Sequence, residues 1–286
     1  MTNAADAARS RRFRLIALIV VGVLLLTVLA WMTIEPKTLQ IEQVYLTASD
    51  LPSDIGQLKI LFMTDLHVGY HFSSGRLSDL TSRVNALKPD VILLGGDYST
   101  DQAGAIDFFR SFPDFHARYG IYAVLGDTDM DGEQLTALRR AMMTAGVTSL
   151  QNETAVVRIG NSSITIAGVG DPTTGNADVS GVAEMVRSTD YAVLLCHSPE
   201  AIDLALRSDS QDGQRRWFDL GLFGHTHGGQ FALGGWSPVA LSYDEWGGTY
   251  REGSRVLHVS TGMGGLIPFR LGQPAEIVVI TLKSEE

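Results

Sequence analysis

The sequence predicts an α/β fold with helix-covered sheets, and three observations predict it. Short apolar runs alternate with amphipathic stretches through the first half of the chain. The later apolar runs follow one another without helices between them, which implies a second, mixed sheet packed on the first. Asp, His and Gly residues gather just after the predicted strands, where open α/β sheets build their sites.

The elements follow in order. Leu15 to Ile34 is an uncharged run, LIALIVVGVLLLTVLAWMTI. As a helix rising about 1.5 Å per residue it spans about 30 Å, the hydrocarbon thickness of a bilayer. Arg9, Arg11, Arg12 and Arg14 precede it, and cationic flanks stay cytoplasmic, so the remainder is expected outside the cytoplasm. Trp31 suits the far interface. The reading is a single-pass cell-membrane anchor over residues 15–34 with a domain over 35–286. The alternative is a cleaved signal peptide, with Val28-Leu29-Ala30 as cleavage site and Ser10-Arg11-Arg12 as a partial twin-arginine signal.

Glu35-Pro36 ends this helix, and Thr38–Leu46 alternates as a strand. Lys59–Thr64, Val91–Leu94 and Ile121–Leu125 are apolar strands. They are followed by helices over about Gly75–Leu87, Ala105–Phe112 and Glu133–Ala145. Thr154–Ile159 and Ser163–Val169 flank the hairpin signal Gly160-Asn161. Tyr191–Cys196 leads into Ser198-Pro199-Glu200, a helix start with N-cap, first-turn proline and acid. Leu220–Phe223, Val256–Ser260 and Glu276–Leu282 complete the strands. Ser208–Gln214 is a polar segment expected to be a flexible tip.

Composition narrows the function. With 286 residues and 45% hydrophobic content the chain builds one large core. A single cysteine, Cys196, leaves no intramolecular disulfide and no cysteine-based zinc site. The net charge is −10 overall and +3 in the first 34 residues, hence −13 in the rest. A domain this acidic repels nucleic-acid phosphates.

The chemistry-bearing residues are Asp65-Leu66-His67, Gly96-Asp97, Gly126-Asp127, Cys196-His197 and Gly224-His225-Thr226-His227-Gly228-Gly229-Gln230, and they hold four of the seven histidines. Carboxylates and imidazoles together suit Mn²⁺, Fe²⁺ or Zn²⁺. One carboxylate bridges two such ions about 3.5–4 Å apart, and the pair polarises a phosphoryl oxygen and activates water. Each motif alone is weak; the ordered set at five strand ends is specific. No HExxH helix is present, which disfavours a zinc peptidase. The aromatics Trp236, Tyr243, Trp246 and Tyr250 read either as core and loop packing or as a rim for lipid or sugar.

At these residues, from about Lys59 to Leu282, the chain resembles the calcineurin-like metallophosphoesterase superfamily, whose ordered pattern is D-x-H, G-D, G-N-H-[DE], H and G-H-x-H. GHTHGGQ, with Ser260–Gly264 and Leu266–Arg270 after it, resembles the membrane-associated bacterial branch. The resemblance implies a four-layer α/β/β/α sandwich and two divalent metal ions (Mn, Fe or Zn). It also implies that Asp65, His67 and His227 hold the first ion, that Asp97 bridges, and that His197, His225 and position 127 hold the second. Asp97, Asp127 and His225 are the positions bearing most directly on catalysis.

Two positions depart from the pattern. Asp127 stands where the family has asparagine; its oxygen still ligates but adds a negative charge. Thr128 stands where a histidine helps protonate the leaving group, a contribution of about 10²–10⁴-fold, or roughly 3–5 kcal/mol. A superfamily branch that cleaves a UDP-linked acylated glucosamine also lacks this histidine, having arginine there. His71, Tyr70 and Asp129 are near enough in sequence to be candidates for a relocated acid, with a rim or loop residue as the alternative reading of His71 and Tyr70. The expected function is a membrane-anchored dinuclear phosphohydrolase cleaving phosphodiesters or pyrophosphates, with lipid-linked envelope molecules as candidate substrates. The alternative is a metal- or phosphate-binding receptor of the same fold without turnover.

Overall fold

The computed structural model describes residues 3–69, 72–265 and 267–285. Tyr70, His71 and Leu266 fall outside them. Helix α1 (Asn3–Ile34) is long and apolar enough to cross a membrane, and its apolar window buries nothing within the protein. It stops at a 3₁₀ turn, Glu35–Lys37, where Pro36 lacks the N–H to continue the helix.

The first sheet takes β1 (Leu39–Ala48), β2 (Gln57–Met63), β3 (Val91–Leu94), β4 (Ile121–Ala123) and β5 (Val147–Ser149). Helices α2 (Ser74–Leu87), α3 (Gln102–Arg110), the single turn α4 (Asp127–Met130) and α5 (Leu135–Thr144) lie among them. The second sheet takes the β6 (Glu153–Ile159) and β7 (Ser162–Gly168) hairpin, then β8 (Ala192–Leu195), β9 (Leu220–Phe223), β10 (Gly248–Glu252) and β11 (Arg255–Val259). Helices α6 (Val179–Ala183) and α7 (Ile202–Arg207) cover it. The last strand, β12 (Ala275–Ser284), returns to the first sheet.

The strand orders are β1-β12-β2-β3-β4-β5 and β10-β11-β9-β8-β7-β6. In the first sheet only β12 against β2 is antiparallel; in the second, β10–β11 and β6–β7 are. Both sheets are therefore mixed.

Side-chain alternation along the strands makes the layers. Ile60 and Phe62 of β2, Val91 and Leu93 of β3, and Val193 and Leu195 of β8 meet in a core between the sheets. The intervening Leu61, Met63, Ile92 and Leu94 turn the other way onto Leu80, Ile106, Phe109 and Met142 of the first helical layer. Ala192 and Leu194 turn onto Val182, Ile202 and Trp217 in the last. The fold is an α/β/β/α sandwich, and each fully buried Leu, Ile or Phe contributes about 1.5–3 kcal/mol to it.

Four sequence expectations differ in detail. Helix α3 starts three residues earlier than expected because Asp101 caps it, accepting from the Gly104 N–H. Strand β10 was not legible, since it is a mostly exposed edge strand with no apolar alternation. β12 belongs to the first sheet rather than the second. Ser208–Gln214 is not a loose tip: Ser208 and Ser210 are buried, and Asp212 accepts from Ser188 and Ser210.

Candidate metal centre

All seven sequence-selected residues sit at strand carboxyl ends. Asp65 and His67 follow β2, Asp97 follows β3, and Asp127 opens α4 after β4. His197 follows β8, and His225 and His227 follow β9. Five of the seven, Asp65, His67, Asp97, His225 and His227, hold φ between 44° and 67°. That left-handed backbone costs a residue with a Cβ about 1–2 kcal/mol. Such a concentration of sparsely populated backbone marks a functional site held in place by its surroundings.

Two glycines make the close approach possible. A Cβ on Gly96, whose φ is +98°, would lie 2.5 Å from the Gly126 nitrogen. One on Gly224 would lie 2.3 Å from Thr64 Oγ1 and 2.4 Å from Asp65 Oδ2. With glycine at position 224, the His225 N–H reaches the Asp65 carboxylate at 3.1–3.2 Å.

The side chains form three linked groups, Asp65–His67–His227, Asp127–His197–His225 and Asp65–Asp97–His197, with candidate donor atoms within 4.8 Å of one another in each. Asp97 Oδ2 stands 3.5 Å from both His67 Nε2 and His197 Nε2, between the two outer groups. His67 Nε2 faces His227 Nε2 at 3.3 Å, and His225 Nδ1 faces His197 Nε2 at 3.3 Å. Asp127 Oδ1 lies 3.3 Å from His197 Nε2 and from His225 Nδ1. Asp65 Oδ1 lies 3.5 Å from His227 Nε2.

The imidazoles are aimed by backbone. His197 Nδ1 donates to the Gly95 carbonyl at 2.8 Å and His67 Nδ1 to the Ser99 carbonyl at 3.3 Å. With Nδ1 holding the proton, Nε2 presents a lone pair inward.

Electrostatics describe a centre rich in unsatisfied donors. Contacts with His197 and His225 hold the Asp127 carboxyl far below the usual range. Burial alone would depress His197, but Asp97 and Asp127 drive it well above the usual imidazole value. Burial pushes His227 down to about 4. Asp127 Oδ1 and His227 Nδ1 are buried without a hydrogen-bond partner among the described residues. Buried polar atoms are rarely left unpaired. Orphaned oxygen and nitrogen donors beside converging carboxylates and imidazoles fit a pair of divalent cations.

The departing positions have definite places. The Thr128 hydroxyl, 2.8 Å from Asp97 Oδ1 and 2.9 Å from the Ser99 carbonyl, turns onto the back of Asp97. The Thr128 N–H also reaches Asp97 Oδ1, at 3.1 Å. Together they leave Oδ2 free to face the two groups. Asp129 is not placed as an acid. It is fully buried, and it accepts the N–H groups of Asp97, Gly126 and Tyr98 at 2.7–3.1 Å, clasping the Asp97 and Asp127 loops together. Burial, reinforced by Asp97, raises its carboxyl to about 8. Sequence reasoning missed this clasp, which only the fold reveals.

The aromatic set divides. Tyr243 packs edge-on to His225 with ring centroids 6.1 Å apart and hydrogen-bonds Glu200. The Trp246 carbonyl accepts from Thr226, and Tyr250 folds back onto Gly247, so these two are loop packing. Trp236 is 56% exposed.

Comparison with known proteins agrees with this geometry. Residues 58–229 match the calcineurin-like phosphoesterase family model. The metallophosphoesterase YkuE of Bacillus subtilis is 30% identical over 266 residues, 88% of each chain. The phosphodiesterase YaeI of Escherichia coli is 29% identical over 78% of this chain and 82% of its own length. A transmembrane protein with metallophosphoesterase domain from Danio rerio is 28% identical, spanning 98% of this chain and 65% of its own.

Proposed function

The chain belongs to the calcineurin-like phosphoesterase family, and from that premise we propose that it is a membrane-anchored, dinuclear metal-dependent hydrolase of phosphodiester or pyrophosphate bonds. The observation that carries the reading is the convergence of seven carboxylate and imidazole side chains into three linked groups, with Asp127 Oδ1 and His227 Nδ1 buried and unpartnered among the described residues. Asp65, His67 and His227 would hold one ion, Asp127, His197 and His225 the other, and Asp97 both. Ions bound there supply charge neutralisation of the phosphoryl oxygens and activation of water.

The chain's own residues set the rest. Asp97 Oδ1 is fixed by the Thr128 hydroxyl and N–H, so the Oδ2 that would face the ions is already oriented. Asp127 is half-exposed, whereas Asp65 and His67 are sealed, so substrate enters on the Asp127 side. No imidazole stands at position 128, and threonine does not donate a proton near neutral pH. Leaving groups that depart without help, a phosphate or an aryl oxide, are therefore favoured over alkoxides.

The apolar run of α1, with four arginines in the helix's first turns ahead of it, supports a single-pass anchor with the domain outside the cytoplasm, and the Danio rerio relative's description supports membrane residence. That confinement favours lipid-linked substrates. Protease protection of the domain in sealed right-side-out cells would overturn the orientation.

The deciding measurement is Mn²⁺-dependent hydrolysis of an activated aryl phosphodiester by the full chain, with Asp97→Ala as control. Turnover should vanish in the control. Thr128→His removes the hydroxyl from Asp97 for every substrate, so the expected signature is a rise of about 10²-fold in alkyl-ester turnover relative to aryl turnover. Two bound metals with no turnover in any form would mean that the fold serves as a binding receptor.

A further inference from the structure

The end of α1 does not hang free of the domain. The Arg270 N–H donates to the Met32 carbonyl at 3.1 Å, in the last turn of α1. Arg76, stacked on Phe72, donates to the Pro36 carbonyl at 2.6 Å and to the Met263 carbonyl at 3.0 Å. Glu35 is buried between these contacts and the sheet. These contacts hold the segment around Arg270 level with the last turn of the apolar helix.

That segment exposes apolar side chains at that level. Ile267 is 44% and Phe269 is 41% exposed, while the intervening backbone is pinned by Gln230, whose amide lies 3.3 and 3.2 Å from the Ile267 and Phe269 carbonyls. The neighbouring turn, joined through the Ala232 N–H to the Leu271 carbonyl, exposes Leu233 and Trp236. Arg270 itself is buried and spends its guanidinium on the Gly262, Gly264, Gln273 and Pro274 carbonyls, so the segment presents no cation.

We infer that Ile267 and Phe269, extended by Leu233 and Trp236, are a second membrane-contacting element that seats the domain on the lipid surface beside the metal centre. The inference rests on the proposed reading of α1 as a bilayer anchor. The occupant is lipid because the hydrogen bond to Met32 makes the patch continuous with the apolar helix. An aromatic and an aliphatic side chain at the level of a helix's last apolar turn lie in the interfacial zone, where amphipathic elements bury apolar area.

The seat is joined to the chemistry. Gln230 lies three residues after His227, and the Gly264 N–H donates to the Asp65 carbonyl at 2.7 Å. These contacts tie the seat to the loops that carry Asp65 and His227.

The test uses the full chain in phosphatidylethanolamine–phosphatidylglycerol vesicles. Single cysteines at Phe269→Cys, Ile267→Cys, Leu26→Cys and Met143→Cys carry an environment-sensitive fluorophore; Cys196 is buried and stays unlabelled. Positions 267 and 269 should shift to shorter wavelength, lose fluorescence to spin-labelled lipid and resist iodide, while position 143 on α5 does the reverse. Quenching by lipid at 26 but not at 267 or 269 overturns the seat and leaves the anchor standing. No lipid quenching at 26 overturns both. Protection from iodide at 269 without lipid quenching assigns the patch to another protein copy and also overturns it.

Discussion

The two sheets contribute unequal halves of the candidate centre. The first sheet supplies all three carboxylates, Asp65, Asp97 and Asp127, and one imidazole, His67; the second supplies the other three imidazoles, His197, His225 and His227. Every one of the three residue groups takes donors from both. Neither sheet alone can hold a cation with this set, so the centre exists only where the sheets dock. The loops therefore contribute through their closeness across the seam as much as through their residue types.

The largest effect should come from forcing the seam apart. Gly224→Ala places a methyl against Thr64 and Asp65 of the opposite sheet. A displacement near 1 Å at a catalytic site costs about 10²-fold in rate. The variant should keep a native circular dichroism spectrum while losing bound metal and at least that factor in kcat/KM. Full metal content with parental turnover would mean that the donors are placed by each sheet independently.

Metal removal comes next. Ions held by donors from both sheets would bind the folded state alone, adding about 2.7 kcal/mol at a concentration one hundred times the dissociation constant. Chelation should lower the Tm, and Mn²⁺ should restore it in proportion to the logarithm of concentration. A Tm indifferent to both would remove the cross-link from the comparison.

A smaller effect is expected within the first sheet's half. Thr128→Val removes one hydrogen bond to a carboxylate, a loss of about 1.5–3 kcal/mol. We expect a drop of about tenfold or more in kcat, with Thr128→Ser largely restoring it. An unchanged kcat in the valine variant would assign the positioning of Asp97 to the Thr128 N–H alone.

The smallest test lies at a second contact across the seam. Glu276 of β12 accepts from the Thr261 N–H at 2.7 Å, and His258 of β11 approaches it at 3.4 Å. Burial would raise its carboxyl, yet these partners bring it below the usual value. A lowered folded value stabilises above the ordinary Glu pKa, near 4.3, and this is lost as pH falls through the lower folded value. Glu276→Gln should therefore lower stability at pH 7, with the gap closing from about pH 5 downward in urea titrations. A gap constant with pH would mean that packing, not charge, holds this contact.

The sequence exposed one side of this comparison better than the other. The apolar strands and the Asp, His and Gly residues after them were legible because burial on both faces leaves continuous apolar runs and the chemistry is written in residue type. Strand β10 carries no such signal because it is an exposed edge. The return of β12 to the first sheet was hidden because pairing partners are set by tertiary packing. The resemblance supplied the ligand distribution. It did not supply the Asp129 clasp or the turn of the Thr128 hydroxyl onto Asp97, which depend on two loops meeting. Nor did it supply the need for glycine at position 224, whose clash partners Thr64 and Asp65 lie on the loop after β2.

The place of β12 has a consequence for biosynthesis. It lies between β1 and β2, and among the described residues β1 has no other partner in its sheet. Residue 39 must wait for residue 275, a delay of nearly the whole domain. Until the ribosome has delivered that last strand, β1 and β2 each present an open edge, the template on which chains aggregate. A nascent chain of this topology depends on chaperoning or on vectorial delivery to keep those edges apart until the final strand arrives.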